Sequence, residues 1–129
     1  MRNVTVAAIQ MSIPETPEKS VEKAEKLVRK AAAEGANVIL LPELFENWYF
    51  CQERRYDSYK LALPLEENPA VRRFQAVAKE LSVALPISFY EQDGNVLYNS
   101  VAMIDADGSV MGVYRKTHIP DDHFYQEKF

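Results

Sequence analysis

The chain has 129 residues, of which 47% are hydrophobic and 26% charged, and its formal net charge is −4. This length and composition fit one globular domain and exclude a disordered chain, because disordered sequences carry far fewer apolar residues. A net negative chain has no general field that attracts phosphate backbones, so nucleic acid is not an expected partner. The single cysteine, Cys51, excludes an internal disulfide and a cysteine-rich zinc site.

Targeting and membrane-spanning segments are not expected. The apolar run near the N-terminus, residues 4–9, is too short for a signal peptide. No stretch approaches the roughly 18 apolar residues that a membrane span needs. We therefore expect a soluble, cytoplasmic protein that has no membrane partner.

The first third of the chain predicts a β-α-β unit. Residues 4–11 are β-branched and apolar on both faces, which is typical of a central strand covered on both sides. Thr16 followed by Pro17 predicts the start of a helix, and Gly35 predicts its end. A second apolar strand is expected at 37–41. Two strands joined by one helix should be parallel.

The remainder predicts a second helix and an antiparallel run of strands. The second helix starts at the Asn-Pro pair of residues 68–69 and extends to residue 81, and a strand is expected at 82–90. Asp-Gly pairs bracket a further strand at 96–105, and the last strand is expected at 109–116. The fold class is therefore α/β. The segment that ends at Phe129 has no cap or closing strand, so we expect an apolar edge, uncovered faces and an incomplete fold.

Two charged residues each follow the end of a predicted strand. Glu43 comes directly after an apolar strand and a proline, where α/β sheets bind ligands, and burial there should raise its pKa toward the range of proton transfer. The alternative is a helix cap or a salt-bridged loop glutamate. If the strand before Lys116 lies beside that of Glu43, a carboxylate and an ammonium meet at the end of the sheet, and the ammonium could stabilise an oxyanion. The alternative is an ordinary surface lysine.

Several segments occur in the order of the signatures of the carbon–nitrogen hydrolase (nitrilase) superfamily, which the chain resembles over essentially its whole length. These segments are residues 6–11, 31–43, 98–101 and 114–120. Within the superfamily, residues 43–52 and 125–129 are most similar to the N-carbamoylputrescine amidases. The resemblance implies an αββα sandwich built from a mixed sheet with helices on one face. It also implies a homo-oligomer, and an incomplete hydrolase domain over residues 1–129 whose C-terminal part is missing.

The same resemblance implies catalytic roles. Glu43 would be the general base and acid, Lys116 the oxyanion-stabilising cation, and Glu127 a second glutamate that orients the lysine and the substrate. The nucleophile in such enzymes is a cysteine some tens of residues beyond the lysine, so residues 1–129 alone should be inactive. We interpret Cys51 as a packing or pocket-wall residue. No metal or organic cofactor is implied, and the products would be putrescine, carbon dioxide and ammonia.

Further residues are candidates for substrate binding or for support of the site. The partner would be a small carbamoylated amine, and acidic side chains suit its cationic tail. Asn99, in an apolar strand, and His118 are interpreted as structural residues near the site. A metal site formed by the histidines and acids of residues 118–123 is not favoured, because their spacing suits tetrahedral coordination poorly. The candidate substrate-binding residues are Glu46, Trp48, Tyr49, Asp121 and Asp122.

Two alternatives to an N-carbamoylputrescine amidase stay open. One is another amidase of the superfamily that acts on an N-carbamoyl amino acid or an aliphatic amide. Residues 121–124 favour this alternative, because they replace the small, glycine-containing loop that the resemblance leads us to expect. The other alternative is a non-catalytic, truncated assembly module.

Overall fold

A computed structural model describes residues 3–52 and 55–120 of the chain. The predictions for Asp121, Asp122, His123 and Glu127 therefore lie outside the described residues. The helices are α1 (Pro17–Ala33) and α2 (Pro69–Leu81), with two 3-10 segments between them, Phe50–Gln52 and Tyr56–Leu61. The strands are β1 (Val6–Ala8), β2 (Val38–Leu40), β3 (Leu85–Asp93), β4 (Val96–Ile104) and β5 (Val110–Arg115).

The strands form a parallel pair and an antiparallel three-stranded sheet that meet at β2 and β3. Strand β1 pairs with β2 in parallel, and β3, β4 and β5 are antiparallel neighbours in that order. The backbone N–H of Ile39 donates to the carbonyl of Ala84 at 3.1 Å, next to an isolated parallel bridge between Val38 and Ala84. The predicted β-α-β opening and the antiparallel run that follows it are both confirmed.

Strand β1 differs from its prediction. It has three residues, it pairs with β2 on one side in the described part of the chain, and Val6 is 73% exposed. The prediction of a central strand covered on both sides is wrong for this chain. An apolar run indicates that a strand can be covered on both faces, but other elements of the fold must provide the cover. In the described part of the chain, the helices pack on one face of the sheet.

Both helices begin as predicted. The Thr16 hydroxyl accepts a hydrogen bond from the N–H of Lys19, and the Asn68 side chain accepts one from Val71 at 2.9 Å. Proline then occupies the first helical position of each helix. Helix α2 also ends at Leu81, as predicted, but Ser82 then adopts a left-handed conformation (φ +53°) as the helix cap. Strand β3 consequently starts at Leu85 instead of residue 82.

The core lies between the two helices and one face of the antiparallel sheet. Alternate residues of β3 and β4 on this face are fully buried against α1 and α2, among them Ile87, Phe89 and Ile104. Phe74 of α2 also packs edge-on against Phe45, with ring centroids 5.6 Å apart. The opposite face of the sheet carries the polar side chains described below. None of the helices in the described ranges is long and apolar enough to cross a bilayer.

The turn between β4 and β5 packs directly on α2, which yields a stability prediction. A Cβ atom on Gly108 would lie 2.7 Å from the backbone oxygen of Gln75, whereas one on Gly94 would meet nothing within 4 Å. Both glycines have positive φ, so Gly94→Ala should lose about 1–2 kcal/mol of unfolding free energy. Gly108→Ala should lose about 1–3 kcal/mol more, because the helix or the turn must move. Urea denaturation of the two variants measures the difference, and equal losses would contradict the close packing.

Candidate active site

Glu43 lies in the turn that follows β2, and this turn has an unusual backbone. Leu44 has a φ of +50°, which is rare for a residue with a side chain. Its N–H donates to the Ser88 hydroxyl of β3 at 2.9 Å. The hydroxyl of Ser20, from α1, donates to the carbonyl of Phe45. The turn that carries Glu43 is therefore bonded to a strand on one side and to a helix on the other.

Lys116 is the first residue after β5, and its side chain reaches Glu43. Its backbone N–H donates to the carbonyl of Asn99 at 2.8 Å, which continues the β4–β5 ladder by one residue. Its Nζ lies 2.8 Å from Oε1 of Glu43, although the two residues are 73 positions apart. Asn99 Nδ2 donates to the same oxygen at 2.8 Å. The predicted approach of a carboxylate and an ammonium is thus present, although their strands are not neighbours, because β3 and β4 lie between β2 and β5.

The pKa of Glu43 is lower than its ordinary value, contrary to the prediction. Burial raises this pKa, but the hydrogen bonds from Lys116 and Asn99 and the positive charge of Lys116 lower it by more. The prediction considered burial alone and omitted the effect of these two donors on the carboxylate. Glu43 is therefore ionised at neutral pH and able to accept a proton.

Glu43, Asn99 and Lys116 line an open cavity of about 300 Å³ together with Ser88. Its remaining walls are the apolar side chains of Leu40, Leu41, Val101 and Tyr114. A cavity with apolar walls and a few convergent polar groups can take a ligand that has a polar head and an aliphatic chain. Ser88 and Tyr114 were not among the predicted site residues. The signal for Ser88 was a hydroxyl within an otherwise apolar strand.

Glu46 and Trp48, two of the predicted substrate-binding residues, lie in other cavities. Glu46 lines a cavity of about 310 Å³ between the N-terminal halves of α1 and α2. It accepts a hydrogen bond from Asn68 at 3.0 Å, and burial raises its pKa. Trp48 is exposed and lines a third cavity beside Phe50. Tyr49, the residue after Trp48, is half-buried. The structure does not bring Glu46 or Trp48 to the cavity of Glu43.

Two further candidates, Cys51 and His118, are not among the residues that line the cavity of Glu43. Cys51 is buried in the first 3-10 segment, which fits a packing role. Burial, and to a smaller extent Cys51, raises the pKa of Tyr90. His118 is exposed in a bend two residues after Lys116. Among residues 3–52 and 55–120, no group of three histidine, cysteine or acidic side chains could hold a metal ion.

Comparison with known protein families identifies the family of the chain. The carbon–nitrogen hydrolase family model matches residues 5–128. The chain belongs to this family. A carbon–nitrogen hydrolase crystal structure from Helicobacter pylori G27 superposes with a TM-score of 0.86 at 29% identity, over 96% of this chain and 42% of that one. This match confirms that the chain has the fold of a nitrilase-superfamily member.

Two relatives of this carbon–nitrogen hydrolase chain are informative about chemistry. It is 52% identical over 126 residues to the N-carbamoylputrescine amidase of Oryza sativa subsp. japonica, and the match covers 98% of this chain and 42% of that protein. It is 46% identical over 129 residues to the citrullinase of Francisella tularensis, which covers 100% of this chain and 45% of that protein. The chain thus spans less than half the length of these relatives.

The charge arrangement predicts how the pKa of Glu43 responds to loss of its partner. Lys116→Met should raise this pKa, because burial then acts against a single remaining donor, Asn99. Lys116→Arg retains the positive charge and should keep the pKa low. A ¹³C NMR titration of the Glu43 carboxyl, assigned with Glu43→Gln, measures both variants.

An unchanged pKa in Lys116→Met would contradict the contact. The direction of the Glu43 pKa shift also determines how the contribution of the Lys116–Glu43 contact to stability depends on pH. Because the folded pKa lies below the unfolded one, the contact stabilises the fold above the ordinary glutamate pKa and is lost as pH falls through the folded pKa.

Proposed function

We propose that the whole protein is an amidase that hydrolyses the terminal ureido group of N-carbamoylputrescine to putrescine, carbon dioxide and ammonia. The observation that carries this proposal is the convergence of the Lys116 ammonium and the Asn99 amide on one oxygen of Glu43. Sequence identities of 52% and 50% to two N-carbamoylputrescine amidases support the choice of substrate. The chain spans 42% of the length of the Oryza sativa relative.

In the proposed reaction Glu43 moves protons and Lys116 stabilises negative charge. The nucleophile is a cysteine from the portion of the relatives that this chain does not span. Glu43 takes the proton of its thiol, the sulfur attacks the ureido carbon, and the lysine ammonium stabilises the negative oxygen that develops. Glu43 returns the proton to the leaving ammonia. It then takes a proton from water, whose oxygen attacks the same carbon and displaces the sulfur. Glu43 returns this proton to the sulfur, and the resulting carbamic acid separates into carbon dioxide and putrescine.

Other parts of the proposal rest on the family resemblance. Glu127 would orient Lys116 and the substrate, and Asp121 and Asp122 would face the cationic amine of the substrate; all three lie outside the described residues. The apolar walls near Tyr114 could contact the aliphatic chain. We further propose one hydrolase domain, of which residues 1–129 are part, and a cytoplasmic homo-oligomer that acts in polyamine formation.

A ureido group on a different backbone is the second candidate substrate. The citrullinase match covers all of this chain, and citrulline differs from N-carbamoylputrescine by one carboxylate on the carbon that bears the amine. Both substrates would undergo the same reaction at Glu43 and Lys116. We expect kcat/KM for N-carbamoylputrescine to exceed that for citrulline by about tenfold or more, which corresponds to ~1.4 kcal/mol of transition-state stabilisation. The opposite preference would replace the first candidate with the second.

The role of Glu43 is tested in the whole protein by ammonia release from N-carbamoylputrescine. Glu43→Gln should lower kcat by about 10²- to 10⁴-fold, because the amide cannot accept the proton. Glu80→Gln is the matched control, since Glu80 is an exposed glutamate of α2 whose partner is Arg29, and it should change kcat by less than about threefold. Residues 1–129 alone should release no ammonia. Activity retained in Glu43→Gln, or turnover by residues 1–129, would refute the mechanism, and an inactive whole protein would favour a non-catalytic module.

A further inference from the structure

The backbone that presents Glu43 is strained at the residue after it. Leu44 is buried, is not a glycine, and has a φ of +50°. A side chain in the left-handed region is unfavourable and persists where the surroundings determine the conformation. The strain at Leu44 therefore requires contacts that keep the turn in place.

Two buried serines provide these contacts. Ser88 is 6% exposed, and its hydroxyl accepts the N–H of Leu44, which belongs to the peptide group directly after the Cα of Glu43. Ser20 is fully buried, and its hydroxyl donates to the carbonyl of Phe45. A buried backbone N–H without an acceptor is unfavourable, so the Ser88 hydroxyl constrains where the turn can lie.

The same face of the sheet supplies this constraint and the partners of the carboxylate. Ser88 lies opposite Val101 in the β3–β4 register, and Asn99 is two residues before Val101. Side chains two residues apart on a strand share a face, so the Ser88 hydroxyl and the Asn99 amide project to the same side. A movement of the turn relative to Ser88 would therefore change the distances from Glu43 to Asn99 and Lys116.

We propose that Ser88 is a positioning residue that fixes the Glu43 carboxylate against Lys116 and Asn99, with Ser20 as the second anchor of the same turn. This proposal rests on the proposed function, because it assigns Ser88 a part in catalysis through Glu43. It goes beyond a role in stability, because it predicts that the position and the ionisation of one carboxylate depend on a hydroxyl that does not contact that carboxylate in the structure.

The test measures the pH profile of ammonia release by the whole protein. Ser88→Ala should lower kcat by about 10- to 100-fold, since displacement of a catalytic group by about 1 Å can cost that much. The acidic limb of the kcat/KM profile should move to higher pH, because Glu43 loses hydrogen bonds that oppose the effect of burial. Ser88→Thr keeps the hydroxyl acceptor and should restore both quantities to near the wild-type values.

A matched control separates positioning from stability. Ser58, in the second 3-10 segment, is 8% exposed and so is buried to a similar degree. Ser58→Ala should leave the pH profile unchanged even if it lowers the melting temperature. If Ser88→Ala does not yield folded protein, Ser20→Ala tests the same turn from α1 and should move the acidic limb in the same direction.

Failure of this inference can be told apart from failure of the proposed function. If the whole wild-type protein releases no ammonia from ureido substrates, the NMR titration of the Glu43 carboxyl still reports its position. A higher pKa for Glu43 in Ser88→Ala than in the wild type supports the positioning role. A Ser88→Ala variant with the wild-type pKa and pH profile, altered only in melting temperature, overturns it.

Discussion

The candidate site depends on one ion pair, the 2.8 Å contact between Lys116 and Glu43. Three parts of the fold position the two side chains of this pair. The β-α-β unit positions the carboxylate, the antiparallel sheet positions the ammonium, and the bridge between Val38 and Ala84 joins these two parts. Asn99 adds a neutral donor to the same oxygen, so the carboxylate is ionised although burial opposes its charge.

Local signals predicted much of the fold. Thr16 and Asn68 were recognised as helix caps because a cap is a contact between residues three apart, and the Asp-Gly pairs marked turns for the same reason. The errors have non-local causes. The exposure of Val6 depends on what covers β1, and the left-handed cap at Ser82 displaced the start of β3.

The site was predicted in part. The strand-end positions of Glu43 and Lys116, together with the family resemblance, predicted the pair. Glu46 and Trp48 were predicted to bind substrate, but they line cavities other than that of Glu43. The left-handed turn at Leu44 redirects the chain, so residues only a few positions later line different cavities. The predicted direction of the Glu43 pKa was wrong because it considered burial without the hydrogen bonds from Lys116 and Asn99 and the charge of Lys116.

The long separation between Glu43 and Lys116 also has a consequence for how the molecule folds. Local elements such as α1 can form early, whereas contacts between residues distant in sequence form only after the intervening chain has closed into a loop. An intermediate that contains β2 and the turn after it, but has not yet docked β5, carries a carboxylate without its cation. A spectroscopic probe at Glu43 would therefore report the docking of β5, a late event, although the residue itself belongs to the first third of the chain.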